Sequence, residues 1–267
     1  MKPIIRKMRE DDWDQFQIHD AETFPDDLVN EEWFKSRVER EGCFMMELDG
    51  ALIGQLIVSR FGDDDDGHLG RIGLSKNHRR KGYGHLLMDH AMNWFRSQDG
   101  IRSVHLYTQH DNFVAQSLYN EFGFVKSGTT WHYFVPFNSL HPSNKYTCHM
   151  IEKDEIEGVG QQYGSLPAAQ IERFLTYDEH MVLVLKDSSG SIQGAARFTP
   201  SFPGSFPFEI SRIDCFDDFM HGMKEFSLPE FDYVRVTFTD NSELAKLCDS
   251  REYKLHHMLF RMARSLE

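Results

Sequence analysis

No apolar run in this sequence approaches the ~18 residues a bilayer-spanning helix needs; the nearest, Ala51 to Val58, is broken by Gly54 and Gln55. The first residues, Met1-Lys2-Pro3-Ile4-Ile5-Arg6-Lys7, lack the long apolar stretch of a secretion signal. A soluble, cytoplasmic protein without a membrane partner is the expectation. Cysteine is scarce. Cys43, Cys148, Cys215 and Cys248 stand far apart, with no Cys-x-x-Cys and no Cys/His pair at zinc spacing. Neither a disulfide framework nor a metal site is therefore expected. Basic residues are also in deficit, with 29 Lys and Arg against 42 Asp and Glu and a formal net charge of −13. Non-specific nucleic-acid binding needs a basic face, so no nucleic-acid partner is expected. An acidic field favours cationic or amine-bearing partners instead.

Aromatic residues are plentiful. Among 267 residues, 22 Phe, 9 Tyr and 4 Trp supply the apolar area of a core and exclude global disorder. The length suits one large domain or two small ones, and a weak internal repeat favours two. Asp49-Gly50-Ala51-Leu52-Ile53-Gly54 separates two apolar runs, as Ser189-Gly190-Ser191-Ile192-Gln193-Gly194 does 140 residues on. Gly70-Arg71-Ile72-Gly73-Leu74 is matched by Ser211-Arg212-Ile213-Asp214-Cys215, 141 on. Asn112-x-x-Ala115-x-x-Leu118 is matched by Asn241-x-x-Leu244-x-x-Leu247, 129 on. Three landmarks in one order argue for duplication. Two domains follow, residues 1–140 and 145–267, meeting near Leu140 to Asn144, where Pro136, Pro142 and polar residues read as a linker.

Within the first domain the pattern predicts a strand at Pro3 to Met8 and helices around Asp11 to Asp20 and Asn30 to Glu41. A hairpin follows, then a strand at His68 to Leu74 and a helix from Gly82 to Ser97. A strand at Ser103 to Thr108, a helix at Phe113 to Glu121 and strands at Phe124 to Lys126 and His132 to Val135 close the unit. Antiparallel strands first and β-α-β-α-β later imply an α/β fold with a mixed sheet. The four acids Asp63 to Asp66 read as a solvated turn.

The chemistry concentrates in Ile72-Gly73-Leu74-Ser75-Lys76-Asn77-His78-Arg79-Arg80-Lys81-Gly82-Tyr83-Gly84-His85. A strand ends, a basic turn follows, and a helix opens with two glycines. Unpaired amides and the helix dipole favour negative charge there, and glycine lets a large anion approach the backbone. The spacing fits neither a Walker loop nor a three-glycine dinucleotide fingerprint.

Arg79-x-x-Gly82-x-Gly84 after an apolar strand resembles the acetyl-CoA signature of the GNAT N-acetyltransferases. Asn112-x-x-Ala115-x-x-Leu118-Tyr119-x-x-Phe122-Gly123-Phe124 resembles their second motif. The resemblance covers Met1 to about Leu140 and implies a duplicated GNAT fold with a degenerate second copy. Carried 141 residues on, Arg79, Gly82 and Gly84 land at Met220, Met223 and Glu225, and Cys248 stands opposite Tyr119. The resemblance further implies an N-acetyltransferase that uses acetyl-CoA as cosubstrate, with no metal, and acts on a primary amine of a small molecule, peptide or protein. Ile72, Gly73 and Leu74 would bind the pantetheine arm. Arg79, Arg80, Lys81, Gly82, Tyr83, Gly84 and His85 would form the pyrophosphate cradle, with Asn112 beside them. Tyr119 would protonate the departing thiolate, and His68 or Glu22 would serve as general base, with His105 on the facing strand. A non-catalytic acyl-CoA-binding or sensing module, and an aminoacyl or longer-acyl transferase, are the alternatives; the acceptor and the oligomeric state stay open.

Overall fold

The computed structural model describes residues 2–60 and 65–266, so Asp63 and Asp64 of the expected acidic turn lie outside the described residues, while Asp66 opens a strand rather than belonging to a solvated turn. The chain forms two units: Met1–Ser127 with Phe260–Glu267, and Gly128–Leu259. No helix among the described residues is long and apolar enough to cross a membrane.

The first unit opens with β1 (Ile4–Lys7), α1 (Trp13–Thr23), α2 (Glu31–Val38), β2 (Cys43–Leu48), β3 (Ala51–Arg60) and β4 (Asp66–Leu74). Asp49 and Gly50 turn the β2–β3 hairpin at φ 54° and 81°, the left-handed pair that a two-residue hairpin loop demands. Next come α3 (Tyr83–Arg96), β5 (Ser103–Gln109) and α4 (Phe113–Glu121). The strands lie in the order β1-β2-β3-β4-β5. All pairs are antiparallel except β4 and β5, which α3 joins as a crossover. α3 buries Leu87, Met88, Ala91, Met92 and Phe95, the apolar stripe of a 3.6-residue period, in one core with Leu69, Val104 and Leu106. Gly67 permits this approach, since a Cβ there would stand 2.7 Å from the Phe95 ring.

Beyond α4 the chain enters β6 (Val125–Pro136). Two short strands are expected here and one continuous strand is found. Gly128, which separates them in the sequence, makes room for a side chain: Thr129 N–H donates to Asp240 Oδ1 at 2.8 Å, and a Cβ on Gly128 would meet that carboxylate at 2.9 Å. The second unit continues through β7 (Tyr146–Met150), α5 (Ile156–Gln162), α6 (Ala168–Phe174), β8 (Met181–Asp187), β9 (Ile192–Thr199) and β10 (Gly204–Ile210). It ends with α7 (Phe216–Lys224), β11 (Tyr233–Thr239), α8 (Ser242–Ser250) and β12 (Lys254–Ser265).

Two of the three repeat landmarks are structural equivalents; the third is not, since Gly70 to Leu74 lies within β4 whereas Ser211 to Cys215 follows the end of β10 and includes a short 3-10 turn. Gly190 turns the β8–β9 hairpin at φ 83°, as Gly50 turns β2–β3. Asn241 caps α8 by accepting from Leu244 N–H, as Asn112 caps α4 by accepting from Ala115 N–H.

The boundary falls earlier than the proline-marked stretch suggests. β6 runs unbroken past Ser127, and the expected linker is packed: Phe137 and Leu140 belong to the second unit's core. Backbone N–H groups of His141, Ser143 and Asn144 donate to Asp217 and Asp218. The second half of β12 belongs to the first unit, where Met262 joins the core and Leu266 N–H donates to Arg102 O at 2.8 Å.

Candidate active site

The site of the first unit is made by two departures from regular sheet geometry. β4 and β5 pair only from Asp66↔Ser103 to Leu69↔Leu106, although both strands continue. Beyond that point they part. Against β3, Leu69 faces Val58 and Arg71 faces Ile57, so Gly70 is the extra residue of a β-bulge. A bulge reverses the alternation of side chains, and Arg71 consequently shares the face of His68 rather than that of Leu69. Two clefts flank this stretch.

The first, of about 550 Å³, lies where α3 begins and is lined by Ile72, Gly73 and Leu74 of β4. Arg79, Arg80, Gly82, Gly84 and His85 line it from the basic turn and the first turn of α3. Asn112 and Tyr119 line it from the α4 side. Lys81 and Tyr83 do not line it; Tyr83 packs against the core.

The backbone of this turn is shaped for an anion. Arg80 and Gly82 adopt φ 63° and 82°, and Gly82 is the N-cap of α3, with no side-chain cap and no acid in the first turn. The first amides of a helix have no intrahelical partner, and the dipole adds positive potential. Arg79 is anchored by Nε donating to Leu74 O at 2.9 Å, and His85 stands 2.7 Å from Glu121. Tyr119 is 6% exposed, and burial pushes its hydroxyl up to about 12, so it keeps its proton at neutral pH.

The second cleft, about 560 Å³, is lined by His68, Gly70 and Arg71 of β4, by Asp27 of the α1–α2 connection, and by Trp33 and Arg37 of α2. Arg71 is 8% exposed and donates to Asp20 at 2.8 Å and Asp27 at 2.7 Å, tying α1 and the following loop to the bulge. Gln55 Nε2 donates to the same Asp20 oxygen at 2.9 Å. The Arg71 guanidinium lies 4.1 Å from the centre of the Phe24 ring. Phe24 lines the α3 cleft and Arg71 the α2 cleft, so this stacked pair is a wall common to both.

His68 stacks on His105 with ring centres 4.8 Å apart, and His105 Nδ1 lies 2.7 Å from Asp66 Oδ2. Burial, with the neighbouring His105, lowers the His68 pKa to about 4, so its imidazole is neutral at pH 7. Sequence reasoning missed Asp66 and placed His105 only loosely. The register pairs His68 with His105 and Asp66 with Ser103, which puts all four on one face. Glu22 lines neither cleft: its carboxylate accepts from Lys76 N–H at 2.7 Å and fastens the basic turn. His19, also unforeseen, lies 2.9 Å from Ser75 Oγ, and burial lowers its pKa to about 4.

The second unit repeats the plan without the anion site. β10 and β11 are parallel over Gly204↔Arg235 and Ser205↔Val236. Met220 and Met223, which the fixed offset places at the cradle, are core residues inside α7, because the turn before α7 is shorter. The first turn of α7 carries Asp217 and Asp218, which accept from the unit's own backbone amides. Cys248 is fully buried in α8. Among the described residues, no group of three or more His, Cys, Asp or Glu side chains could hold a metal ion.

The sequence profile of the Acetyltransferase (GNAT) family matches residues 5–124, inside the first unit. No curated protein matches the chain. Among solved structures, the chain is similar to a GCN5-related N-acetyltransferase from Sphaerobacter thermophilus, at 12% identity over 98% of this chain and 95% of that one, TM-score 0.73. It is similar to a tandem GNAT protein from the clavulanic acid biosynthesis pathway, at 10% identity over 99% and 98%, TM-score 0.67. It is also similar to the glucosamine N-acetyltransferase region of a fungal multi-domain GH3 β-N-acetylglucosaminidase, at 14% identity over 98% and 38%, TM-score 0.71. At these identities the likeness is one of fold, and it extends over both units.

Proposed function

We propose, from the premise that this chain carries a GNAT acetyltransferase domain with the fold of tandem GNAT proteins, that its first unit acetylates an amine with acetyl-CoA. The observation that carries the reading is the pair of clefts on either side of the parted β4 and β5, one built for an anion, the other holding a neutral imidazole. Acetyl-CoA, when bound, supplies an acyl carbon whose bond to sulfur breaks as a bond to the acceptor nitrogen forms.

The protein's own groups divide the remaining work. Amides of the Arg79 to Gly84 turn and the arginines beside them offer donors and positive potential to a pyrophosphate. The freed edge of β4 at Ile72 to Leu74 offers peptide groups to an extended amide-bearing arm. Both features fit this cosubstrate. His68 holds a neutral lone pair in the α2 cleft and takes a proton from the acceptor ammonium. The Asp66 carboxylate beside His105 stabilises positive charge on the stacked rings. Tyr119 holds a proton on Oη in the α3 cleft for the departing thiolate.

Asp217 and Asp218 at the start of α7 support one cosubstrate site per chain, since carboxylates there repel a pyrophosphate. Calorimetric titration with CoA tests this directly, with one site per chain expected. Two equivalent sites, or none, would overturn that part of the reading. Release of CoA thiol from acetyl-CoA across a panel of amines tests the transfer itself.

A further inference from the structure

The chain is acidic overall, yet the α2 cleft gathers arginines. Arg37, Arg40 and Arg60 line it together with Arg71, against only Asp27 and Glu41 among the described residues. Asp27 is already engaged by Arg71 at 2.7 Å. Arg37 lies partly buried over the Trp33 ring, 4.9 Å from its centre, and its Nε has no hydrogen-bond partner among the described residues. Burial, and after it the neighbouring cation Arg40, holds the Arg37 guanidinium below its usual pKa. Among the described residues no carboxylate lies within ion-pair distance of Arg37 or Arg40. Two neighbouring guanidinium groups without a counter-ion, one of them with a buried donor unsatisfied, present planar forks suited to an oxyanion.

We propose that the acceptor carries a carboxylate or phosphate on the same small molecule as its amine, and that Arg37 and Arg40 bind this anionic group. The proposal rests on the acetyl-transfer reading. His68 lines the same cleft, so one occupant of about 560 Å³ or less meets the arginines and the neutral imidazole together. A cleft of that size suits a molecule on the scale of an amino acid or an amino sugar. The arginines disfavour polyamines, which offer them only like charge. The acidity of the whole chain points to a cationic partner, but the local field at this cleft has the opposite sign.

The test uses matched pairs on the full chain: glycine against glycinamide, aspartate against asparagine, glucosamine 6-phosphate against glucosamine, with putrescine as the cationic case. Binding is read by calorimetry with CoA present, and turnover by thiol release from acetyl-CoA. The carboxylate and phosphate arms show which oxyanion is preferred. At least one charged member is expected to bind tenfold or more tightly than its partner. Arg37→Gln and Arg40→Gln should each erase most of that preference, weakening the charged member far more than its uncharged partner. Arg40 is exposed, so its variant carries the test without disturbing packing. Equal or weaker binding of the charged member in every pair, absence of binding included, overturns the proposal. Preference in binding without thiol release keeps the anion site and sinks acetyl transfer. Thiol release without preference does the reverse.

Discussion

Lowering the pH from 8 to 5 should weaken the first unit through two buried imidazoles that the fold keeps neutral. His19 is 3% exposed, against Ser75, and its folded pKa is about 4. Its neighbours Asp20 and Glu22 pull that value up and Arg79 pulls it down, but desolvation dominates. The unfolded histidine titrates near ~6.5, so between the two values the unfolded chain binds the extra proton. The sign follows: stability is complete above about pH 6.5 and is lost as pH falls toward 4. At pH 5 the shift corresponds to a loss of about 2 kcal/mol for His19 relative to pH 8. His68, also near 4, adds a similar amount, and ~4 kcal/mol is a large share of a typical domain's 5–15. Carboxylates held below their usual range, such as Asp12 and Asp66, weaken the fold only at lower pH still. Urea unfolding from pH 8 to 5, followed by tryptophan fluorescence in a Trp131→Phe background, reads the first unit through Trp13, Trp33 and Trp94. His19→Gln cannot take up the proton, and should flatten the slope by about 1.2 kcal/mol per pH unit between pH 6 and 5. Parallel slopes in wild type and variant would refute the argument, whatever the offset between them.

Tyr119→Phe keeps the ring and deletes the proton donor, so kcat should fall by ~10²- to 10⁴-fold with CoA affinity unchanged if thiolate departure limits the rate; turnover within twofold of wild type removes Tyr119 from the mechanism. His68→Gln should lower kcat/KM by ~10²-fold or more, and the wild-type acid limb should lie near pH 4, following the folded pKa, so a limb at 6.5 would assign the base to another group. Gly82→Asp puts a carboxylate in open space at a φ of 82°, where any side chain strains the turn, and should lose CoA binding; an unchanged calorimetric Kd in a protein shown to be folded counts against the cradle.

What could be read in the sequence was whatever depends on neighbours along the chain. The amphipathic period of α3, the asparagine caps of α4 and α8 and the left-handed turns at Gly50 and Gly190 are local, and each is found where its residues stand. The basic turn that opens α3 with left-handed backbone at Arg80 and Gly82 was legible for the same reason. The α2 cleft was not, because it depends on register. Only pairing β4 against β3 reveals Gly70 as the bulge that turns Arg71 toward His68, and only pairing with β5 brings Asp66 and His105 alongside. Glu22 illustrates the converse: an acid near the right segment whose carboxylate is engaged by Lys76. The domain boundary was misplaced because prolines mark where a chain turns, and the packed stretch at Phe137 to Asn144 turns without leaving its unit.

The return of residues 260–266 to the first unit bears on how the protein is made. Residues 1–127 leave the ribosome first, but the strand that neighbours β5 is synthesised only after the second unit. Until then the β5 edge offers unpaired peptide groups, and the core around Leu106 and Phe124 lacks Met262. Such an edge is prone to pair with other chains while it waits. The first unit is therefore not a contiguous stretch of coding sequence, and a fragment cut at Ser127 would lack part of its own core. Synthesis of the second unit precedes completion of the first, so the basic turn and the α2 cleft gain their full support only after residues 128–259 are out.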